Sequence, residues 1–344
     1  MKAVFVKGQS KVGVEEIATP ELAGDGDVLV KMRACGLCGS DLEKVYGQYG
    51  MSSGRLGHEP AGEVVMVGKS VKGFSPGDRV FIHHHVPCYS CHYCLHGNHT
   101  MCPHYQSSNI HPCGLSEKFV VPEWNVSRGG LVKLPDSVTF DEASLIEPLA
   151  CCIRALDKCR FQKGDDISVI GAGPAGMMHV LLAGVFGAGR IFVLDINEFR
   201  LKFAETHSTV STFNIAVENP VHKIRKQTEE RGVDLCIVAT GSVKALAQSF
   251  ELTRRGGRIM LFGVPPKGSE LQFDASRLYS NEQSIIPSYA ASELEINQAL
   301  KLIERRRIDI SSLITHRFDI SDAAQAVRCA HEAKDAMKVI VTSK

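Results

Sequence analysis

The sequence predicts an α/β protein of two domains, one rich in β-strands and one built on a doubly wound parallel sheet. From about residue 150, short apolar runs alternate with helical stretches, and such alternation produces βαβ units with helices on both faces of a sheet. Before that point, short apolar runs are separated by Gly, Pro and Asp turns, the pattern of a β-rich and irregular domain. A length of 344 residues suits two domains.

The first domain is expected over 1–148. Residues 1–7 read as an opening strand, and 28–30, 64–67 and 79–82 as further short strands. A loop of about 87–114 is dense in Cys and His and too polar to hold itself together by apolar burial, so it needs another fastening. The second domain is expected over 149–290, with strands at 167–170, 191–195, 235–239, 258–262 and 284–289. Helical stretches run from the glycine turn after 170 to about Phe186, and near 243–253. The segment 291–344 carries an amphipathic helix at 293–305, a stretch 315–320, a short helix from Ser321 and a closing strand at 339–341.

Composition excludes several classes. At 44% hydrophobic and 22% charged the chain is an ordinary globular protein. A net charge of +1 gives no broad attraction to nucleic acid or to an anionic membrane, so neither is an expected partner. No apolar run reaches the ~18 residues of a membrane span. The N-terminus lacks a signal-peptide core, so a reducing cytoplasm is expected. There, 12 cysteines are better explained by metal than by disulfides.

Gly171-Ala172-Gly173-Pro174-Ala175-Gly176 follows directly on the strand ending at Ile170. With a strand before, a helix after and an acid at the end of the next strand, this is the Rossmann dinucleotide fingerprint in its required context. The helix N-terminus offers free N–H groups to a pyrophosphate. Asp195, 19 residues after Gly176, can accept from both ribose hydroxyls of NAD and would repel the 2′-phosphate of NADP. Arg200 is read either as lying over the adenine or helping to admit that phosphate, or as a surface residue.

Cys88, Cys91, Cys94 and Cys102 have the spacing C-x2-C-x2-C-x7-C, which can bring four thiolates around one structural zinc. Disulfides, a redox pair or an iron–sulfur cluster are the alternatives. His92, His96, His99 and His104 are read as exposed loop residues, and the run His83-His84-His85 as a polar loop. Two further clusters, 35–41 (C-G-L-C-G-S-D) and Gly57-His58-Glu59, with Glu147-Pro148, contain a thiolate, an imidazole and carboxylates suited to a catalytic zinc. Their spacing alone does not join them.

These residues together resemble the zinc-containing medium-chain dehydrogenase/reductase family, in particular its polyol (sorbitol-type) and threonine dehydrogenase members. The match includes G-H-E-x2-G-x5-G from Gly57, G-D-R-V at 77–80, the four-cysteine lobe and E-P-L at 147–149. The resemblance implies a GroES-like catalytic domain, completed by the C-terminal segment, and a Rossmann coenzyme domain. It implies Cys38 and His58 as zinc ligands, Glu59 and Glu147 as carboxylates near the metal, and Asp41 as the residue that orients His58. Cys35 is expected to be a packed residue. Ser40 resembles the family's hydroxyl beside the substrate oxygen. Many relatives place a relay histidine where this chain has Glu43.

The implied chemistry is zinc-assisted hydride transfer from an alcohol to NAD. The missing histidine weakens the threonine reading, so a secondary alcohol of polyol type is the expected substrate. An amino-alcohol dehydrogenase, and a non-catalytic binding protein on the same fold, are the alternatives. Relatives imply a homo-oligomer, dimer or tetramer, joined through the coenzyme domain; the 284–289 strand suits such an edge contact.

Overall fold

A computed structural model describes residues 1–47 and 54–344. The chain divides into two units, Met1–Ala150 with Ala290–Lys344, and Cys151–Tyr289.

The first unit is organised on a seven-stranded path of sheet. Its centre is the strand Val28–Gly36, where Val28, Leu29, Val30, Met32, Ala34 and Cys35 are all buried. A strand so apolar can only sit between neighbours. It pairs antiparallel with Glu59–Val67, Lys118–Val121 and Lys338–Thr342. Register sets what meets: Gly36 lies opposite Glu59 on one side and Ile340 on the other. The strand Ile314–Asp319 runs parallel to Lys338–Thr342. Val28, Val30, Phe119, Val121, Ile320 and Val339 belong to one apolar core in this unit.

The second unit carries six parallel strands in the order Ser211–Asn214, Ile191–Asp195, Ile167–Ile170, Val233–Val238, Thr253–Leu261 and Ser284–Pro287. Strand order reverses beside Ile167–Ile170, the switch point where doubly wound sheets take up ligands. The sequence reading lacked the edge strand Ser211–Asn214 and the helix before it, Glu198–His207. Of that strand only Phe213 is buried, so its apolar signal is weak. Among the described residues no helix is long and apolar enough to cross a membrane.

His179 sits inside this unit's core. It lies on the helix Pro174–Phe186, fully buried, edge-on to Phe262 with ring centres 4.7 Å apart. Neither ring nitrogen has a hydrogen-bond partner among the described residues. Burial pushes its pKa down to about 3 from 6.5. The native state therefore holds His179 neutral, whereas the unfolded chain takes up a proton as pH falls through 6.5. Stability is full above that value and is lost down to about 3. At pH 5 the loss is about 2 kcal/mol relative to neutral pH. Unfolding curves of wild type and His179→Leu across pH 8 to 4 check this: the variant's acid slope should be shallower, and identical slopes would refute it.

Candidate metal centres and dinucleotide turn

The helix Gly39–Tyr46 begins at Cys38, whose backbone is extended and whose side chain closes a capping box with Asp41. Asp41 in the first turn is fully buried and accepts the Cys38 N–H at 3.2 Å and the Gly57 N–H at 3.0 Å. Its Oδ2 lies 3.4 Å from Nδ1 of His58. One carboxylate thus ties two separate loops to one point, and it turns the far nitrogen of His58 toward Cys38. Burial works against charge on this pair. The His58 charge nevertheless draws the Asp41 carboxyl well below its usual range. Asp41 and Cys38 in turn raise the pKa of His58 well above that of an ordinary imidazole.

Glu59 completes the set. The donor atoms of Cys38, His58 and Glu59 all lie within 4.8 Å of one another. Ligands around a tetrahedral zinc sit about 3.3–3.8 Å apart, so small side-chain shifts suffice. One carboxylate oxygen of Glu59 accepts from Lys338 Nζ at 2.5 Å, and both side chains are buried. The other, Oε1, is buried with no hydrogen-bond partner among the described residues. A buried carboxylate oxygen left bare beside a thiol and an imidazole fits a metal ligand. Gly36 makes the pair possible: a Cβ there would stand 1.9 Å from Glu59 Oε2 and 3.0 Å from Lys338 Cε.

Glu147 is buried and stands outside the three-residue set, yet its charge acts on Glu59 and on Lys338. Ser40 is half-buried in the first turn of its helix. Glu43, half-buried, has Oε2 without a partner among the described residues, and burial raises its pKa. Cys35 is buried and burial pushes its thiol up, so it packs rather than ligates.

The four lobe cysteines form the second cluster, with sulfurs within 4.8 Å of one another; Cys91 to Cys94 is 3.6 Å and Cys88 to Cys94 is 3.9 Å. All are free thiols. The Ser90 N–H at 3.4 Å and the Cys91 N–H at 3.3 Å both donate to Cys88 Sγ and pull its pKa down to about 5. Backbone donors that stabilise a thiolate inside a ring of four sulfurs fit zinc better than a disulfide.

The histidine run corrects the expectation of a polar loop. His83 is fully buried and its Nδ1 lies 2.7 Å from Glu293 Oε1, while Tyr89 donates to the other oxygen of Glu293. His84 lies against His58, ring centres 5.1 Å apart. By contrast His92, His96 and His104 are exposed, and His99 is half-buried.

In the second unit Gly173 caps the helix that begins at Pro174, with Ala175 and Gly176 in its first turn. A Cβ on Gly176 would stand 1.8 Å from the Gly171 carbonyl, so only glycine lets the helix rise this close to the strand. Asp195 is buried and already engaged: Ala172 N–H donates at 2.6 Å, Ile196 at 2.7 Å and Asn197 at 2.9 Å. It braces the turn. Arg200 lies over the turn, its Nη1 3.4 Å from where a Gly173 Cβ would be.

Residues 24–136 match the alcohol dehydrogenase GroES-like domain family, and residues 174–305 the zinc-binding dehydrogenase family. Sorbitol dehydrogenase of Bacillus subtilis (strain 168) is 30% identical over 99% of this chain and 97% of its own length. This chain belongs to the zinc-type medium-chain alcohol dehydrogenases. An L-threonine 3-dehydrogenase of Escherichia coli O17:K52:H18 (strain UMN026 / ExPEC) is also 30% identical, over 94% of each protein. The solved alcohol dehydrogenase from Thermus sp. ATN1 superposes with a TM-score of 0.90 at 29% identity, covering 100% of both chains. The fold class read from the sequence, a GroES-like domain with a Rossmann sheet, is borne out.

Two residues beside the Cys38–His58–Glu59 set escaped sequence reading. Lys338 lies 279 positions from Glu59 and no local pattern links them. Its one available signal was a lysine heading an otherwise apolar closing strand, where it is 2% exposed. His84 was hidden among its neighbours, since three identical residues give no hint of which one lies beside His58.

Proposed function

We propose that this dehydrogenase oxidises a secondary alcohol of polyol or sugar-alcohol type to the ketone, with NAD+ becoming NADH and one proton released. The observation that carries the reading is the close set Cys38, His58 and Glu59, with one bare oxygen on the buried carboxylate of Glu59. Zinc bound there supplies Lewis acidity toward an alcohol oxygen. The chain's own residues do the rest. Asp41 holds His58 in the orientation and tautomer that leave its other nitrogen free for the metal. Lys338 holds one oxygen of Glu59 and leaves the second available. The four-cysteine lobe holds a second, structural zinc, giving about two zinc ions per chain.

The sorbitol dehydrogenase relative supports the polyol choice, and Glu43 in place of the family's relay histidine weighs against threonine. Asp195 supports NAD. A second reading, NADP, is favoured by Arg200: it lies over the glycine turn and its Nε is buried without a partner among the described residues. The test is a rate panel on the zinc-loaded protein over sorbitol, butane-2,3-diol and L-threonine, each with NAD+ and NADP+, with zinc content measured alongside. Polyol oxidation with a clear preference for NAD+ is expected. Oxidation of threonine and of no polyol would overturn the substrate, and faster turnover with NADP+ would overturn the coenzyme.

A further inference from the structure

Of the three consecutive histidines, the outer two are fastened. His83 Nδ1 is engaged by Glu293 at 2.7 Å, and His85 Nδ1 by the Ser108 carbonyl at 2.6 Å. His84 is held by its backbone and by packing: the buried Asn125 donates to its carbonyl at 2.9 Å, and its ring leans on that of His85 with centres 3.9 Å apart. The ring is therefore placed, but its Nδ1 is buried with no hydrogen-bond partner among the described residues. It lies beside His58, a member of the metal set. A buried imidazole nitrogen without a partner is costly, and such atoms in native structures usually await something from outside the chain.

We propose that His84 binds a second oxygen of the substrate, the hydroxyl on the carbon next to the one oxidised, and so makes this centre selective for vicinal diols over simple alcohols. A neutral imidazole has one N–H donor and one lone pair; a hydroxyl has both as well, so the match is complementary in either sense. The reacting oxygen belongs at the Cys38–His58–Glu59 set, and the ring of His84, 5.1 Å from that of His58, carries an unused polar atom. A site built to hydrogen-bond a hydroxyl discriminates against the analogue lacking it, because its own polar group is then left unpaired. The inference rests on the reading of this set as an alcohol-binding centre.

The matched probes are butane-2,3-diol and butan-2-ol, which differ by one hydroxyl. Three proteins are compared: wild type, His84→Phe, which keeps a flat ring without nitrogen, and His84→Asn, whose amide can restore the hydrogen bond. For His84→Phe, kcat/KM with the diol should fall about tenfold, mainly through KM, as expected for one lost hydrogen bond. With butan-2-ol it should change less than about twofold, and His84→Asn should recover most of the loss. Calorimetric binding of the diol to the zinc-loaded protein without coenzyme gives a readout independent of turnover, and the same order is expected there. Equal losses on both alcohols, or no loss on either, would overturn the proposal. If wild type oxidises neither alcohol, the functional reading fails; diol binding that weakens only in His84→Phe would still uphold the role of His84, and binding indifferent to the substitution would end it.

Discussion

Replacing Lys338 by methionine is expected to destabilise the metal-free protein by about 3–5 kcal/mol, the usual consequence of removing one partner of a buried ion pair. Methionine keeps the length and apolar character of the stem, so packing along the closing strand is retained. What is lost is the cation 2.5 Å from a fully buried carboxylate. Glu59 is then left with Glu147 as a like charge nearby and His58 to offset it. Two things can relieve it, a proton or a metal cation. Zinc should therefore restore more stability to Lys338→Met than it adds to wild type, and the double variant with Glu59→Gln should recover much of the loss, because both charges are then gone. Urea unfolding with and without zinc measures this. A Lys338→Met protein that unfolds at the wild-type midpoint would show that the pair contributes nothing.

The second large effect is expected at the cysteine lobe. Its small apolar cluster consists of Cys94, Cys102 and Tyr105, with Cys88, Cys91 and Ala290 packed against them. Four of those six are the thiols themselves, so the lobe has almost no core apart from its four sulfurs. Structural zinc sites of this kind carry apparent binding free energies of about 10–16 kcal/mol in isolated fingers. Cys94→Ser should therefore lose one zinc per chain and expose the segment 88–102 to limited proteolysis, with the six-stranded unit still resistant. The damage should travel further. Tyr89 in the lobe and His83 beside the metal centre share the carboxylate of Glu293, so a loosened lobe removes one of the two donors that fix that side chain. Unchanged zinc content and unchanged cleavage in Cys94→Ser would refute a metal in the lobe.

The parts of the molecule that sequence made legible are those whose chemistry is local. The glycine turn works through residues within six positions of each other, and a strand and helix flank it on either side. The cysteine lobe announces itself by spacing, because the same short loop must close on one ion. Cys38 and His58 were reachable only through resemblance, since what unites them is the register between Val28–Gly36 and Glu59–Val67 and the carboxylate of Asp41. Lys338 depended on a pairing between strands some 300 residues apart in sequence, for which nothing near either partner gives a sign. The strand Ser211–Asn214 failed for a different reason: at a sheet edge a strand needs little apolar character, and this one has a single buried aromatic.

The closing strand has a consequence for how the protein is made. The unit Cys151–Tyr289 is contiguous and has all its strands once the ribosome has passed residue 289. The Cys38–His58–Glu59 set does not: its Glu59 waits for a partner encoded 279 codons later. Contacts of such separation form late. A nascent chain therefore carries a complete six-stranded sheet while Cys38 and the unneutralised Glu59 still await the closing strand. Truncation anywhere before residue 338 removes the cation that this buried acid is paired with.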